Sequence, residues 1–369
     1  MNKDKELIKE LCFSKSFVML GDSTKKCFNC QYCRAIDNES HYSIIPSDVN
    51  PIFTNLPVVV NLFYGDPMLQ LNNTLLYLEK LETSKHHAPV IIITKGDLSL
   101  FPDKKYNLDL HFALSTFGIN SVYDGGNIER LEKNLEYAKF LNKKYQYKYS
   151  IEFRPIINGI NDSDDIIDNI FKIAKKFSTS IGFCGLQLND NLKKYLKDNN
   201  IYFKPYDGYK LGLKKAISKE VEEIFYSKSE KYNVPVFRKT SCLISYSHNL
   251  ERDYNAHYYR PNEMRCDKCL MSDKCLTFKK NNDLNDISLD IKIPFKYEIV
   301  NKDKHCCILY KMGTCKFPSN DCKNISGKLI KIDEKITSSD LRVIKWLTGL
   351  TVDCEFSEIE YISDNWKLK

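Results

Sequence analysis

The chain has 369 residues, 43% of them hydrophobic and 28% charged, a balance that suits a folded globular protein and excludes wholesale disorder. That length exceeds one minimal domain and leads us to expect a barrel-sized core with small appended modules. The net charge of +7, from 55 basic against 48 acidic residues, is spread without a long basic block, so it permits a phosphate-rich partner without requiring one.

The opening MNKDKELIKELCF carries no apolar core of signal-peptide length, and no run approaches the roughly 18 apolar residues of a membrane span. We therefore expect a cytoplasmic location. In that reducing compartment, 14 cysteines suit metal ligation better than a disulfide framework.

Residues 1 to 15 read as a short amphipathic lead-in, and Ser16 to Leu20 as an apolar run feeding a cysteine-bearing loop. Strand-like runs follow at Pro57–Tyr64, Pro89–Thr94, Leu108–Leu114, Tyr147–Arg154 and Ser180–Leu188. Each is short, rich in β-branched or aromatic residues, and ended by Gly, Asp, Pro or Asn, the pattern of buried parallel strands. Between them lie helical patterns. Leu71, Leu75, Leu78 and Leu81 share one face; Ile128, Leu131, Leu135, Ala138 and Leu141 share another. Ile166, Ile170, Phe171, Ile173, Ala174 and Phe177 make a third, opened by the capping candidates Asp162 and Ser163. Alternation of strand and helix over about 240 residues predicts a βα-repeat architecture.

Near residue 235 the texture changes to FRKTSCLISYSHNLERDYNAHYYRPNEMRCDKCLMSDKC, polar, aromatic and rich in cysteine, with no helical period. KKNNDLNDISLD at 279–290 reads as a linker into a tail holding Cys306, Cys307, Cys315, Cys322 and a capped helix candidate at Ser338–Leu350. The expected organisation is thus a barrel-like domain over 1–235, a cysteine-rich module over 236–278 and a small C-terminal domain over 279–369.

In DSTKKCFNCQYCR, Cys27, Cys30 and Cys33 sit at i, i+3 and i+6 on a turn-prone loop just after a strand. Such a loop can aim three thiolates at one point, as zinc and iron–sulfur clusters both require. No local fourth ligand exists, since the chain continues Arg34-Ala35-Ile36-Asp37. Three ligands on a 4Fe-4S cluster leave one iron open to a small molecule, whereas a structural zinc would recruit Cys12 or a distant cysteine. Spacing alone leaves both open.

The loop and the strand ends together resemble the radical S-adenosylmethionine superfamily. Tyr32 occupies the family's aromatic position before the last cysteine, which implies stacking near the cofactor's adenine. The second strand ends NLFYGDPML, similar to the family's Gly-Gly-Glu-Pro turn, with Gly65, Asp66 and Pro67 as the matching residues. Strand ends IIITKGDLS, FALSTFG and FRPIINGIND resemble those of the spore photoproduct lyase-like branch, and the likeness spans about residues 14–190. The first cysteine gap is two residues here, where the family has three.

The resemblance implies a partial (βα)6 TIM-type barrel with a 4Fe-4S cluster, S-adenosylmethionine as cofactor, and a reductant such as flavodoxin or ferredoxin as partner. Lys95, Ser115 and Arg154, at or beyond strand ends, become candidates for the cofactor's ribose or carboxylate. A charged methionine moiety needs such partners in any case. Their structural alternatives are a solvated loop lysine, a turn serine and an ion-pairing arginine. Implied substrates are a nucleic acid, a nucleotide or a peptide. The competing reading is a non-catalytic zinc or iron–sulfur protein that recognises nucleic acid.

Cys242, Cys266, Cys269 and Cys275 supply four thiols in a segment lacking its own core, enough for zinc or an auxiliary iron–sulfur cluster. His248, Tyr254, His257, Tyr258 and Tyr259 either line a substrate surface or simply surround a metal knuckle. Cys306, Cys307, Cys315 and Cys322 are expected to be core cysteines, and Cys184, inside a strand, a buried small hydrophobe rather than a hydrogen-atom donor.

Overall fold

The computed structural model describes residues 16–18, 30–32, 57–60, 66–83, 85–186, 190–204, 206, 217–251, 253, 266–281, 291–292, 295–302, 327–336, 344, 351–356 and 367–368. Seven strands form one parallel sheet in sequential order: β1 (Ser16–Val18), β2 (Val58–Val60), β3 (Val90–Thr94), β4 (Leu110–Thr116), β5 (Lys148–Ile156), β6 (Ile181–Gly185) and β7 (Val236–Phe237). Every pairing is parallel and joins neighbours in the chain, while β1 and β7 stand at opposite edges. This is an open βα sheet of the partial-barrel kind, with one strand more than the six expected. The extra strand is only two residues long, too short to show a period of its own.

The strands can pair in parallel because helices carry the chain back across one face. These are α1 (Leu71–Thr83), α2 (Ile128–Tyr145), α3 (Asp164–Phe177) and α5 (Lys219–Tyr232), while α4 (Asp190–Asp198) packs through Leu192 and Leu196 in a separate cluster with Tyr32, Phe117 and Ile157. Asn127 opens α2 by accepting from Arg130 N at 2.7 Å. Ser163 holds the N-cap position of α3 without a side-chain cap bond. Asp162 instead accepts from Gly159 N at 2.9 Å and from the Tyr206 hydroxyl at 2.8 Å. On α1 the buried set is Thr74, Tyr77, Leu78 and Leu81, with Leu71 and Leu75 only partly covered; on α3 it is Ile167 rather than Ile166 that is buried.

Alternation along the strands builds two cores. Val58, Val60, Ile92, Leu110, Phe112, Leu114, Ile151, Phe153, Ile181 and Phe183 face the helical layer, where Phe183 stacks on Phe225 of α5 with ring centroids 4.0 Å apart. Val59, Ile91 and Ala113 face the other way, into the lumen of the curved sheet. They pack there against Phe237 and against two further helices, α6 (Thr240–Ser247) and α7 (Ser272–Asn281), through Leu243, Ile244, Met271, Cys242 and Cys275. The cysteine-rich segment therefore shares its core with the sheet. α7 also carries the helix into 279–281, where a linker was expected.

Further along the chain, β9 (Tyr297–Lys302), β10 (Gly327–Ile336) and β11 (Thr351–Phe356) make a three-stranded sheet with β10 central. β8 (Ile291–Lys292) and β12 (Lys367–Leu368) pair antiparallel. The lead-in, Cys306, Cys307, Cys315, Cys322 and all of the Ser338–Leu350 helix candidate except Ile344 lie outside the described residues. No helix among the described residues is long and apolar enough to cross a membrane.

Candidate functional site at the carboxyl ends of the strands

In a parallel βα sheet the loops after the strands gather at one end, free of the hydrogen-bond ladder and able to carry chemistry. Three buried polar side chains hold these loops. Asp66, at the end of the β2 loop, accepts from Met68 N at 2.9 Å, from the Thr94 hydroxyl and from Lys95 N at 2.7 Å, so both oxygens are used within the chain. Gly96 makes this approach possible, because a Cβ there would lie 2.6 Å from Met68 Cβ and 2.8 Å from Asp66 Oδ1. Asn134 of α2 accepts from Leu98 N at 2.9 Å and donates to Gly96 O at 2.7 Å. Asn161 accepts from Ile157 N at 2.7 Å and donates to Phe117 O and Pro155 O, each at 2.9 Å, tying the β4 and β5 exits together.

On this platform sits the middle of the first cysteine loop. Gln31 N donates to Tyr123 O at 3.0 Å, and the Tyr32 ring stacks on Phe117 with centroids 5.4 Å apart. The Cys30 thiol donates to Asp124 at 3.0 Å, the Tyr32 hydroxyl donates to the same carboxylate, and the Lys95 ammonium reaches Asp124, Tyr32 and, at 3.7 Å, the Cys30 sulfur. Burial drives the Asp124 carboxyl upward, but Lys95, with the donors Tyr32 and Cys30, outweighs it and holds Asp124 below the usual carboxylate range. Burial pushes Tyr32 well above the ordinary phenol value, and raises Cys30 against the pull of Lys95. Cys27, Cys33 and Gly65 lie outside the described residues.

The lumen side of the same end carries the other candidates. Ser115 is the register partner of Glu152, and Glu152 of Gly182, so the three form one row across β4, β5 and β6. Glu152, 1% exposed, meets Arg154 Nε at 3.3 Å; Thr240 of α6 donates to Glu152 at 3.0 Å and accepts from Arg154 at 2.8 Å. Cys184 is buried. Sequence reasoning missed Asp124, Asn134, Asn161 and Glu152. Each acts on a partner far along the chain, and a lone acidic or amide residue in a loop, strand or helix carries no periodic mark.

Beneath the lumen, Cys242, Cys266 and Cys269 line a small cavity with Tyr226, Val236, Phe237, Arg238 and Lys239. The Cys242 thiol donates to Cys269, which raises the first and lowers the second, and Met271 N donates to the Cys269 sulfur at 3.5 Å. Burial pushes Cys275 up to about 11. Among the described residues no three His, Cys, Asp or Glu side chains form a ready coordination sphere. His248 belongs to a hydrogen-bonded chain under the sheet, apart from the cysteines, while Tyr254, His257, Tyr258 and Tyr259 lie outside the described residues.

No family model matches the chain. Among curated proteins it is similar to an uncharacterized 30.8 kDa protein of Euglena longa from the rpl12-rps7 intergenic region, 28% identical over 140 residues, which is 35% of this chain and 50% of that protein. The chain thus spans about half the length of the curated relative it matches. Among solved structures it is similar to a radical SAM methyltransferase from Sphaerobacter thermophilus, with 11% identity, a TM-score of 0.40, and coverage of 61% of this chain and 67% of that one.

Proposed function

We propose that the chain is a radical S-adenosylmethionine enzyme whose catalytic 4Fe-4S cluster is held by Cys27, Cys30 and Cys33. The observation that carries this reading is the seat of the cysteine loop: Cys30 and Tyr32 lie against the carboxyl ends of β3 and β4, beside Lys95 and Asp124. An ammonium within reach of the thiol suits a cysteinate ligand, because it offsets negative charge that burial would otherwise penalise. When bound, the cluster supplies one electron for reductive cleavage of the cofactor's sulfonium bond, and so the start of hydrogen abstraction from a substrate.

The chain's own residues do the rest. Tyr32 on Phe117 gives an apolar wall suited to a nucleobase. Lys95 and Arg154 are the cations suited to a methionine carboxylate, and each is now paired, Lys95 with Asp124 and Arg154 with Glu152. A ligand carboxylate therefore competes with a protein carboxylate at either position, which makes binding selective for groups that satisfy both ends of the exchange. Asp66 holds the backbone at Met68 and Lys95 in register rather than offering a free oxygen. Ser115 supplies a hydroxyl to the lumen, where the substrate, a nucleic acid, nucleotide or peptide, is held.

In this reading Cys242, Cys266, Cys269 and Cys275 take a second metal, zinc or an iron–sulfur cluster, under the lumen. The spacing of the four thiols in the sequence is what supports it, and the described side chains would have to converge on binding. A flavodoxin or ferredoxin serves as the electron donor.

Anaerobic reconstitution with iron and sulfide tests the whole. The expected result is a brown protein that releases 5′-deoxyadenosine from S-adenosylmethionine under dithionite, with Cys30→Ala abolishing release and Cys269→Ala retaining part of it. Zinc as the sole bound metal, with no cleavage, would overturn the reading.

A further inference from the structure

Away from the cysteine loop, a file of polar side chains crosses the amino-terminal end of the sheet. Asp109, just before β4, is 44% exposed; the His248 side chain, just after α6, is 1% exposed; His111 on β4 and Ser150 on β5 are completely buried. Three hydrogen bonds join them. His248 Nδ1 meets Asp109 Oδ2 at 2.6 Å, His111 Nδ1 meets His248 Nε2 at 3.1 Å, and Ser150 Oγ meets His111 Nε2 at 2.8 Å. The rings lie 5.2 Å apart.

Chemistry settles the direction of each bond. A carboxylate only accepts, so His248 donates from Nδ1 to Asp109, which leaves its Nε2 a lone pair in the neutral ring. His111 must then donate from Nδ1 to that lone pair, and its own Nε2 accepts from the Ser150 hydroxyl. Every donor in the neutral file points outward, from lumen to surface.

We propose that Ser150, His111, His248 and Asp109 form an outward-directed proton relay from the lumen of the sheet to its amino-terminal surface. The step balances as follows. Ser150 gives its proton to His111 Nε2 and receives one from a lumen donor; His111 passes its Nδ1 proton to His248 Nε2. His111 ends neutral with its proton on Nε2, now donating to Ser150, and His248 ends as an imidazolium against Asp109. No oxidant is required; the co-reactant is a Brønsted acid, an ammonium or hydroxyl group held in the lumen against Glu152 Oε1, which loses the one proton that His248 gains, and that proton leaves to solvent past exposed Asp109.

The charged groups around the file favour this resting place. Burial, then His248 and Lys148, keep His111 well below the ordinary imidazole value, so the charge does not stay on it. Among the described residues the carboxylate paired with His248 is Asp109. At the lumen end Glu152 and Arg154 stand next on the same face of β5, and Glu152 Oε1 is buried with no donor among the described residues. That orphaned oxygen marks a site for a proton-bearing group just above Ser150.

Two-bond nitrogen–proton correlations of the imidazoles in the full chain, recorded from about pH 8 to about pH 5 across the imidazole range, read the tautomers directly. The expected result is His111 protonated on Nδ1 at the alkaline end and on Nε2 once His248 becomes charged, both changes sharing one midpoint. Asp109→Asn should move that shared midpoint to lower pH. Ser150→Ala, which leaves the Nε2 proton of the reversed ring without an acceptor in a buried site, should likewise move the shared midpoint to lower pH. A His111 that keeps its Nδ1 proton throughout, or reverses independently of His248, overturns the relay. None of these outcomes depends on the cofactor reading.

Discussion

Asp66 shows how one side chain joins two exits of the sheet. It is buried, and burial raises its carboxyl despite the donors from Thr94, Lys95 and Met68. Asp66→Ala strands those donors in a dry site, where each unsatisfied group costs about 1–3 kcal/mol. We expect a lower denaturant midpoint at unchanged slope and a loss of about 2–3 kcal/mol in equilibrium unfolding, allowing for partial rehydration. A loss below about 0.5 kcal/mol, the scale of ordinary surface substitutions, would show that the clamp carries no weight. Nothing near Asp66 in the chain announces this task, since two of its donors lie 28 and 29 residues away. The turn was legible; what the side chain does inside it was not.

Among the elements, β5 and β6 leave no room for a side chain where Gly182 faces Glu152. A Cβ at Gly182 would stand 2.8 Å from Glu152 Oε1 and 3.0 Å from its carboxyl carbon. Glu152 cannot easily retreat, because Arg154 and Thr240 fix its other oxygen. Gly182→Ala should therefore cost about 1–3 kcal/mol, the range of overpacking in a filled core, and disturb the Thr240 end of α6. Hydrogen exchange along 240–247 should rise in this variant; unchanged protection would show that the row and the helix are independent. On the lumen face of β5 the sequence had offered Arg154 alone as a candidate, within a run read as a buried strand. Period-two alternation reveals which residues share a face, but not that Ser150, Glu152 and Arg154 form a polar stripe meeting a helix some 90 positions later.

At the scale of the molecule, a cationic knot ties the outer helices. Asp168 of α3 accepts from Lys228 at 2.8 Å, from Tyr232 at 2.8 Å and from Lys231 at 3.2 Å, and Lys172 lies 2.9 Å away. The bonds from Lys228, Lys172 and Tyr232 hold its carboxyl well below the usual carboxylate range. A depressed folded-state value contributes stability above the ordinary carboxylate range, and that contribution is lost as pH falls through the folded value. Lys228→Met brings the two values together, so acid unfolding followed by circular dichroism should begin at higher pH than in the parent chain. An unmoved acid limb would mean that the remaining lysines replace Lys228 fully.

Burial on one or both faces imposes periods that a short window displays, so the alternating strands and helices of the parallel sheet were readable along the chain. The sequence also displayed cysteines at the short spacings that ligation demands. Tertiary structure alone decided the seventh strand, the burial of α6 and α7 against the lumen, the gathering of Cys30, Tyr32, Lys95 and Asp124, and the file from Asp109 to Ser150. Those contacts join residues up to 139 positions apart. Their energy depends on where the backbone brings polar atoms together, and no local pattern records that meeting.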